Sequence, residues 1–160
     1  MTSSLVLIPA RMSAQRLPGK PLADIAGEPM IVHVLRRAEA AGIGPVVVAT
    51  DSQAIQAAVE KAGGRAVMTS ASHPTGSDRI HEAARIVDPD GHYQRIVNIQ
   101  GDLPTLEPGI VRAASALLDD PQVDIAPLTM GLSFPNVLVV PPSLGVKTFA
   151  ELIALAKSKP

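Results

Sequence analysis

The feature that most constrains this chain is the alternation of short β-branched runs with segments of helical period. The runs predict strands at residues 5–8, 46–49, 65–68, 95–99 and 123–126. The segments between them place apolar side chains three and four residues apart, which is typical of amphipathic helices. This alternation predicts βαβ units and an α/β fold with a mainly parallel sheet.

Turn and cap residues divide these elements. A loop rich in Pro and Gly follows the first strand, and a helix is predicted from about Pro29. Further helices are predicted from Asp51 or Ser52, from Ser77 or Asp78, and from residues 107–108, since such residues commonly begin helices. These assignments place a loop after the carboxyl end of each strand.

Composition excludes several classes of function. The chain of 160 residues has no Cys, so it forms no disulfides, thiolate zinc sites or cysteine nucleophiles. Three aromatic residues and a net charge of −1 disfavour nucleic-acid binding. The dinucleotide-binding motif GxGxxG is absent after the first strand, and the P-loop motif GxxxxGK[ST] is also absent.

No apolar run approaches the roughly 20 residues of a membrane span, and no signal peptide is recognisable, so we expect a cytoplasmic protein without a membrane partner.

Ligands of open α/β sheets bind at the carboxyl ends of the strands, which directs attention to the polar clusters there. The first cluster, residues 9–20, contains Arg11, Arg16 and Lys20. Three cations on one loop repel one another unless an anion joins them, so this cluster is either a polyphosphate site or a solvated basic loop.

Two further clusters follow later strands. Asp102 comes after Gly101 in residues 98–104, where it could hold Mg²⁺ against substrate phosphates or simply form a turn. Residues 73–79 lead into a predicted helix, and there Arg79 is either a nucleotide contact or a solvated residue beside an ordinary helix cap.

Taken in order, the motifs of residues 5–130 resemble those of the 3-deoxy-manno-octulosonate cytidylyltransferase family, also called CMP-KDO synthetases. The motifs are IPAR at 8–11, RLPGKPL at 16–22, PMIVHV at 29–34, ATD at 49–51, GSDR at 76–79 and NIQGD at 98–102. The resemblance implies a three-layer Rossmann-like nucleotidyltransferase fold of the nucleotide-diphospho-sugar transferase type. It also implies an enzyme that joins CTP to 3-deoxy-manno-octulosonate, giving CMP-KDO and pyrophosphate for lipopolysaccharide precursor synthesis.

The resemblance also implies site residues and a cofactor. Arg11, Lys20 and Asp102 would be catalytic, with Arg11 and Lys20 neutralising the triphosphate and Asp102 binding Mg²⁺. The nucleotide site that it implies comprises Pro9, Ala10, Arg11, Lys20, Arg79, Gln100 and Gly101. CTP and an acidic sugar would be the partners.

The last 30 residues differ in composition from the rest. Residues 131–160 contain three Lys, no Arg, one Glu and both Phe, whereas residues 1–130 contain nine Arg and two Lys. Residues 136–160 resemble a segment of the tripartite tricarboxylate transporter receptors. We therefore expect a cytidylyltransferase part at 1–130 joined, near residues 130–134, to an unrelated strand-turn-helix tail at 131–160.

This arrangement sets expectations for activity. The family's sugar-covering strands, its second metal-binding Asp and most of its dimer interface have no counterpart here, so we expect a truncated fold with weak or absent transferase activity. The alternatives are a non-catalytic nucleotide-binding remnant or fusion product, and a cytidylyltransferase for another acidic sugar.

Overall fold

The computed structural model describes residues 4–13, 18–120, 122–124 and 126. In this part of the chain, strands and helices alternate as the sequence pattern predicts. The strands are β1 Ser4–Ala10, β2 Asp24–Ile25, β3 Glu28–Pro29, β4 Val46–Thr50, β5 Arg65–Met68 and β6 Arg95–Asn98. The helices are α1 Met30–Ala40, α2 Gln53–Lys61, α3 Gly76–Val87 and α4 Pro108–Leu117, with a short 3₁₀ turn at Lys20–Leu22.

The main sheet of the described residues has four strands in the order β5-β4-β1-β6. Every pairing in it is parallel, with Val6 opposite Val46 on one side of β1 and Ser4 opposite Arg95 on the other. The predicted mainly parallel sheet is therefore confirmed. The strand at residues 65–68 has the predicted bounds.

Side chains alternate between the two faces of the sheet, and helices cover both faces. On one face, Val6, Ile8 and Val48 pack with buried side chains of α1, α2 and α4. On the other face, Leu5, Leu7, Val47 and Ala49 pack with Ile80 and Ala83 of α3. Because strands buried on both faces need apolar residues at successive positions, β1 and β4 are near-continuous apolar runs. The three-layer architecture is confirmed.

A hairpin formed by β2 and β3 occupies the segment that the sequence analysis treats as loop. Its turn residues 26–27 both have positive φ. His33 of α1 lies 2.8 Å from the carbonyl oxygen of Ile25, and Arg36 donates to Glu28 at 2.7 Å. The hairpin is therefore held by contacts with α1. Local periodicity of the sequence does not reveal such contacts.

Two helix starts differ from or refine the prediction. Helix α3 begins at Gly76, because Thr75 caps it and forms a capping box with Asp78, so Ser77 and Asp78 are not its caps. Of the two candidate caps of α2, Ser52 is the N-cap, and its hydroxyl accepts the N–H of Ile55. The prediction for α3 was wrong because Asp78 is not the N-cap: it is the third residue of the helix, and its side chain bonds back to the N-cap, Thr75.

The last predicted strand of the sheet is not formed by the described residues 123, 124 and 126. The N–H of Val123 donates to the carbonyl of Asp120 at 2.9 Å, which bends the chain into a turn after α4.

The predicted tail at 131–160 and the join near 130–134 lie outside the described residues. Within the described ranges, no helix combines the length and apolarity needed to cross a bilayer.

Gly44 provides a test of how tightly the sheet is packed. A Cβ at this position would lie 1.9 Å from the carbonyl oxygen of Ser4, so Gly44→Ala forces the backbone at the start of β1 to move. We expect a loss of about 1–3 kcal/mol in the free energy of unfolding, the usual cost of overpacking. Chemical denaturation of the full chain measures this loss.

Gly109→Ala is the matched control. Gly109 lies in the first turn of α4, and a Cβ there would meet only a flexible arginine tip, at 3.8 Å. Alanine favours helix over glycine, so we expect stability to be unchanged or raised by less than about 1 kcal/mol. Equal stability losses for the two variants would contradict the tight packing at Gly44.

Candidate active site

The order of the strands places a crevice at the carboxyl end of β1. The chain passes from β1 outward to β4 and β5, and then returns to the opposite side of β1 to form β6. Loops after β1 and β6 therefore leave the sheet in opposite directions, which is the topological switch point where α/β sheets bind ligands. The fold thus selects the edge between β1 and β6 as the candidate site.

A cavity of about 150 Å³ lies at this edge. It is lined by Pro9, Ala10, Arg11, His73, Thr75, Gly76, Arg79 and Gln100. Five of the sequence-predicted site residues thus come together here: Pro9, Ala10, Arg11, Arg79 and Gln100. Lys20, Gly101 and Asp102 do not line this cavity, although Gly101 and Asp102 directly follow Gln100 in the chain.

Pro9 lies where three segments meet. Leu7 accepts the N–H of Ile99, so Leu7 faces β6, and Pro9, two residues later, faces the same side beyond the last paired residue of β6. Its missing N–H therefore removes no bond from the sheet. A Cβ on Gly101 would lie 2.6 Å from the Pro9 carbonyl oxygen, and one on Gly76 would lie 3.4 Å from the Pro9 ring.

Arg79 is buried rather than solvated, so the alternative of a solvated Arg79 is wrong. Its side chain is 3% exposed. The guanidinium donates to the Thr69 hydroxyl at 2.5 Å and to the Asp51 carboxylate at 2.6 Å. Thr69 in turn donates to the carbonyl of Thr50. Helix α3 is thereby joined to the carboxyl ends of β4 and β5.

The role of Asp51 escaped the sequence analysis, which considered it as a helix cap. Its position directly after β4 is the signal that could have identified it, since the same rule selected Asp102 after β6. The partner Arg79 lies 28 residues away, and nothing local connects the two.

A second unpredicted pair stands behind the cavity wall. His73, which lines the cavity, contacts Glu82 of α3 through its Nε2, and the same carboxylate oxygen accepts the N–H of Ser70 at 2.8 Å. The hydrogen bond from His73 and the backbone N–H of Ser70 lower the pKa of Glu82 below its ordinary value. Glu82 is therefore ionised at neutral pH.

Lys20 and Asp102 form an ion pair beside this site. Lys20 Nζ lies 2.7 Å from Asp102 Oδ2, and both side chains are partly exposed, by 36% and 44%. The residue predicted to contact phosphates and the residue predicted to bind metal are thus direct neighbours, although 82 positions separate them in the chain.

The described residues contain no cluster of three His, Asp or Glu side chains that could hold a metal ion by themselves. Mg²⁺ in phosphate-transfer sites usually takes one or two carboxylates, with phosphate and water oxygens completing its shell. Asp102, a single and partly exposed carboxylate, fits a Mg²⁺ site that is completed by phosphate and water oxygens.

Fold and site together define a three-layer, Rossmann-like α/β domain with a polar, cation-bearing cavity at the switch point of its parallel sheet. The chain belongs to the cytidylyltransferase family, whose model matches residues 5–142.

Curated relatives agree with this assignment. Over 128 residues the chain is 66% identical to a 3-deoxy-manno-octulosonate cytidylyltransferase from Methylorubrum populi, covering 80% of this chain and 52% of the relative. It is 65% identical over 126 residues to the protein of the same name from Rhodopseudomonas palustris, covering 79% and 51%. The resemblance drawn from the motifs is therefore confirmed, and the chain spans about half the length of these relatives.

Solved structures support the same fold. A CMP:2-keto-3-deoxy-manno-octonic acid synthetase complexed with CTP matches with a TM-score of 0.71 and 41% identity, over 77% of this chain and 50% of that one. A cytidylyltransferase from Leptospira borgpetersenii matches with a TM-score of 0.73 and 22% identity, over 90% and 62%. The predicted nucleotidyltransferase fold is confirmed.

The buried pair of Arg79 and Asp51 leads to a stability prediction. Asp51→Ala leaves the Arg79 guanidinium buried without its counter-charge, so we expect a loss of about 3 kcal/mol or more in the free energy of unfolding. Urea denaturation of the full chain measures it.

Glu28→Ala is the control, because Glu28 also pairs with an arginine but at the surface, where Arg36 is 53% exposed. We expect that variant to lose no more than about 1 kcal/mol. Similar losses for the two variants would mean that burial does not set the strength of the Arg79–Asp51 pair.

Proposed function

We propose that this chain is the nucleotide-binding part of an enzyme that transfers the cytidylyl group of CTP to 3-deoxy-manno-octulosonate. The observation that carries the proposal is the convergence of Pro9, Ala10, Arg11, Arg79 and Gln100 on the cavity at the switch point. Relatives named for this reaction match the same part of the chain, and one matching synthetase structure is named as a complex with CTP.

In the proposed reaction, a hydroxyl oxygen of the sugar attacks the α-phosphorus of CTP. An oxygen–phosphorus bond to the sugar forms, the bond to the β-phosphate bridging oxygen breaks, pyrophosphate leaves, and the hydroxyl proton passes to solvent. Such transfer depends on positioning and on neutralisation of charge. Arg11 and Lys20 would supply positive charge to the triphosphate, while Arg79 and Gln100 would border the nucleoside.

Mg²⁺ is the proposed cofactor. When bound with the triphosphate, it neutralises the negative charge that Arg11 and Lys20 leave uncompensated. Asp102 would hold it. Because Lys20 lies 2.7 Å from Asp102, the lysine keeps this carboxylate beside the phosphate-binding loop. A neighbour of similar fold from Mycobacterium tuberculosis is named as a complex with manganese.

Thermal melting with nucleotide tests the nucleotide part of the proposal. A ligand that binds only the folded chain raises the melting temperature, so we expect CTP with Mg²⁺ to raise it. Lys20→Met should weaken CTP binding about tenfold or more, since a hydrogen bond to a charged group is lost. Asp102→Asn should remove the dependence on Mg²⁺.

Lys61→Met is the matched control, because Lys61 is an exposed lysine in the last turn of α2. We expect it to leave the effect of CTP unchanged. A melting temperature that does not respond to CTP in the unaltered chain would overturn the proposed function.

Release of pyrophosphate separates the remaining alternatives. Pyrophosphate formed at an enzyme-like rate, and only with CTP and 3-deoxy-manno-octulosonate together, would support the transferase and overturn the expected impairment. Binding of CTP without pyrophosphate release would support the nucleotide-binding remnant. Release with a different acidic sugar, such as sialate, would reassign the acceptor.

A further inference from the structure

One wall of the cavity is the loop of residues 70–75, and Glu82 holds this loop at two points. Its Oε2 accepts the backbone N–H of Ser70 at 2.8 Å and contacts Nε2 of His73. The side chains of His73 and Glu82 are 20% and 34% exposed. Glu82 does not line the cavity, so it acts on a ligand there only through His73 and the loop.

The contact with Glu82 determines which nitrogen of His73 carries the proton. An ionised carboxylate only accepts hydrogen bonds, so the nitrogen that faces it must carry a hydrogen. In a neutral imidazole with its proton on Nε2, the other nitrogen, Nδ1, is an acceptor. In this form the ring that lines the cavity has one remaining polar atom, Nδ1, which accepts rather than donates.

Other polar side chains of the wall do not offer this property. Arg11 and Arg79 carry N–H donors and no acceptor. The amide of Gln100, which also lines the cavity, carries both a donor and an acceptor, so it can pair with either kind of base. The Thr75 hydroxyl is engaged in the capping box, where it contacts both the N–H and the carboxylate of Asp78. With its proton on Nε2, His73 is therefore the side chain of this wall that can receive a donor from a ligand without also offering one.

We propose that Glu82 is a positioning residue that fixes the tautomer of His73, so that Nδ1 selects a pyrimidine base with an exocyclic amino donor over one with a carbonyl oxygen at that place. The inference rests on the proposed function and extends it to the choice between cytosine and uracil. The amino group of cytosine would donate to Nδ1. Uracil would instead place a carbonyl oxygen against Nδ1, and because both atoms accept, neither would form a hydrogen bond. Unpaired polar groups of this kind strongly disfavour the wrong one of two similar substrates.

Binding of CTP and UTP to the full chain tests this proposal, by calorimetry at about pH 8, above the range in which imidazoles ordinarily take up a proton. We expect the unaltered chain to favour CTP by about tenfold or more. Glu82→Gln should reduce that preference to about threefold or less, because the amide can donate as well as accept and no longer fixes the tautomer.

Two controls isolate the effect. Glu60→Gln changes an exposed glutamate of α2 that also accepts a hydrogen bond, from Gln56, and it should leave the preference unchanged. His73→Phe keeps a ring but removes both nitrogens, so it should also abolish the preference for CTP. It replaces Glu82→Gln as the deciding variant if the latter does not fold.

NMR of the imidazole nitrogens of the unaltered chain gives an independent readout, with the proton expected on Nε2 of His73. A proton on Nδ1 alone, or an unchanged preference for CTP in folded Glu82→Gln or His73→Phe, would overturn the proposal. Equal affinity of the unaltered chain for CTP and UTP would overturn this inference while leaving nucleotide binding intact. Failure to bind either nucleotide would overturn the proposed function, and base selection with it.

Discussion

The close approach of two loops to Pro9 is the constraint on which the candidate site depends. A side chain at Gly101 would lie 2.6 Å from the Pro9 carbonyl oxygen, so only glycine lets the loop after β6 pass this close to the end of β1. Gly76 brings the start of α3 against the other side of the same proline. Close approaches of the chain to Pro9 therefore border the cavity, and Pro9 and Ala10 are placed there by β1, a strand buried on both faces.

Carboxylates accompany most of the basic groups around this site. Arg79 pairs with Asp51, Lys20 with Asp102, and His73 with Glu82. Each pairing fixes a long or mobile side chain before a ligand arrives, which lowers the conformational cost of binding. The three pairs differ in burial, and a buried charge with its partner is held far more firmly than an exposed one. Arg79 is accordingly a fixed part of the wall, whereas on the proposed function the partly exposed Lys20 would turn to a phosphate at little cost.

The sequence predicts those parts of the fold that depend on local pattern. Continuous apolar runs identify β1 and β4, because strands buried on both faces need apolar residues at successive positions. The hairpin of β2 and β3 was missed, since four paired residues carry no periodicity and contacts with His33 and Arg36 hold them. Residues 123–126 have the composition of a strand, but of these the described residues 123, 124 and 126 form none, and the N–H of Val123 donates to the carbonyl of Asp120 in a turn. Contacts with α1 thus decide the first case, and a local turn decides the second.

The same distinction separates the site residues that sequence reasoning can find from those it cannot. The rule that ligands bind at strand ends leads to the clusters at residues 9–20, 73–79 and 98–104, and the family resemblance selects Pro9, Arg79 and Gln100 within them. It does not reveal that Arg79 is paired or that Glu82 supports His73, since these facts require α3 to lie against the segments that follow β4 and β5. On the proposed function, exposed Arg11 and Lys20 attract a triphosphate through long-range charge that salt screens. His73 and Arg79 line the cavity and act at contact distance, so on this proposal they are placed to distinguish one base from another.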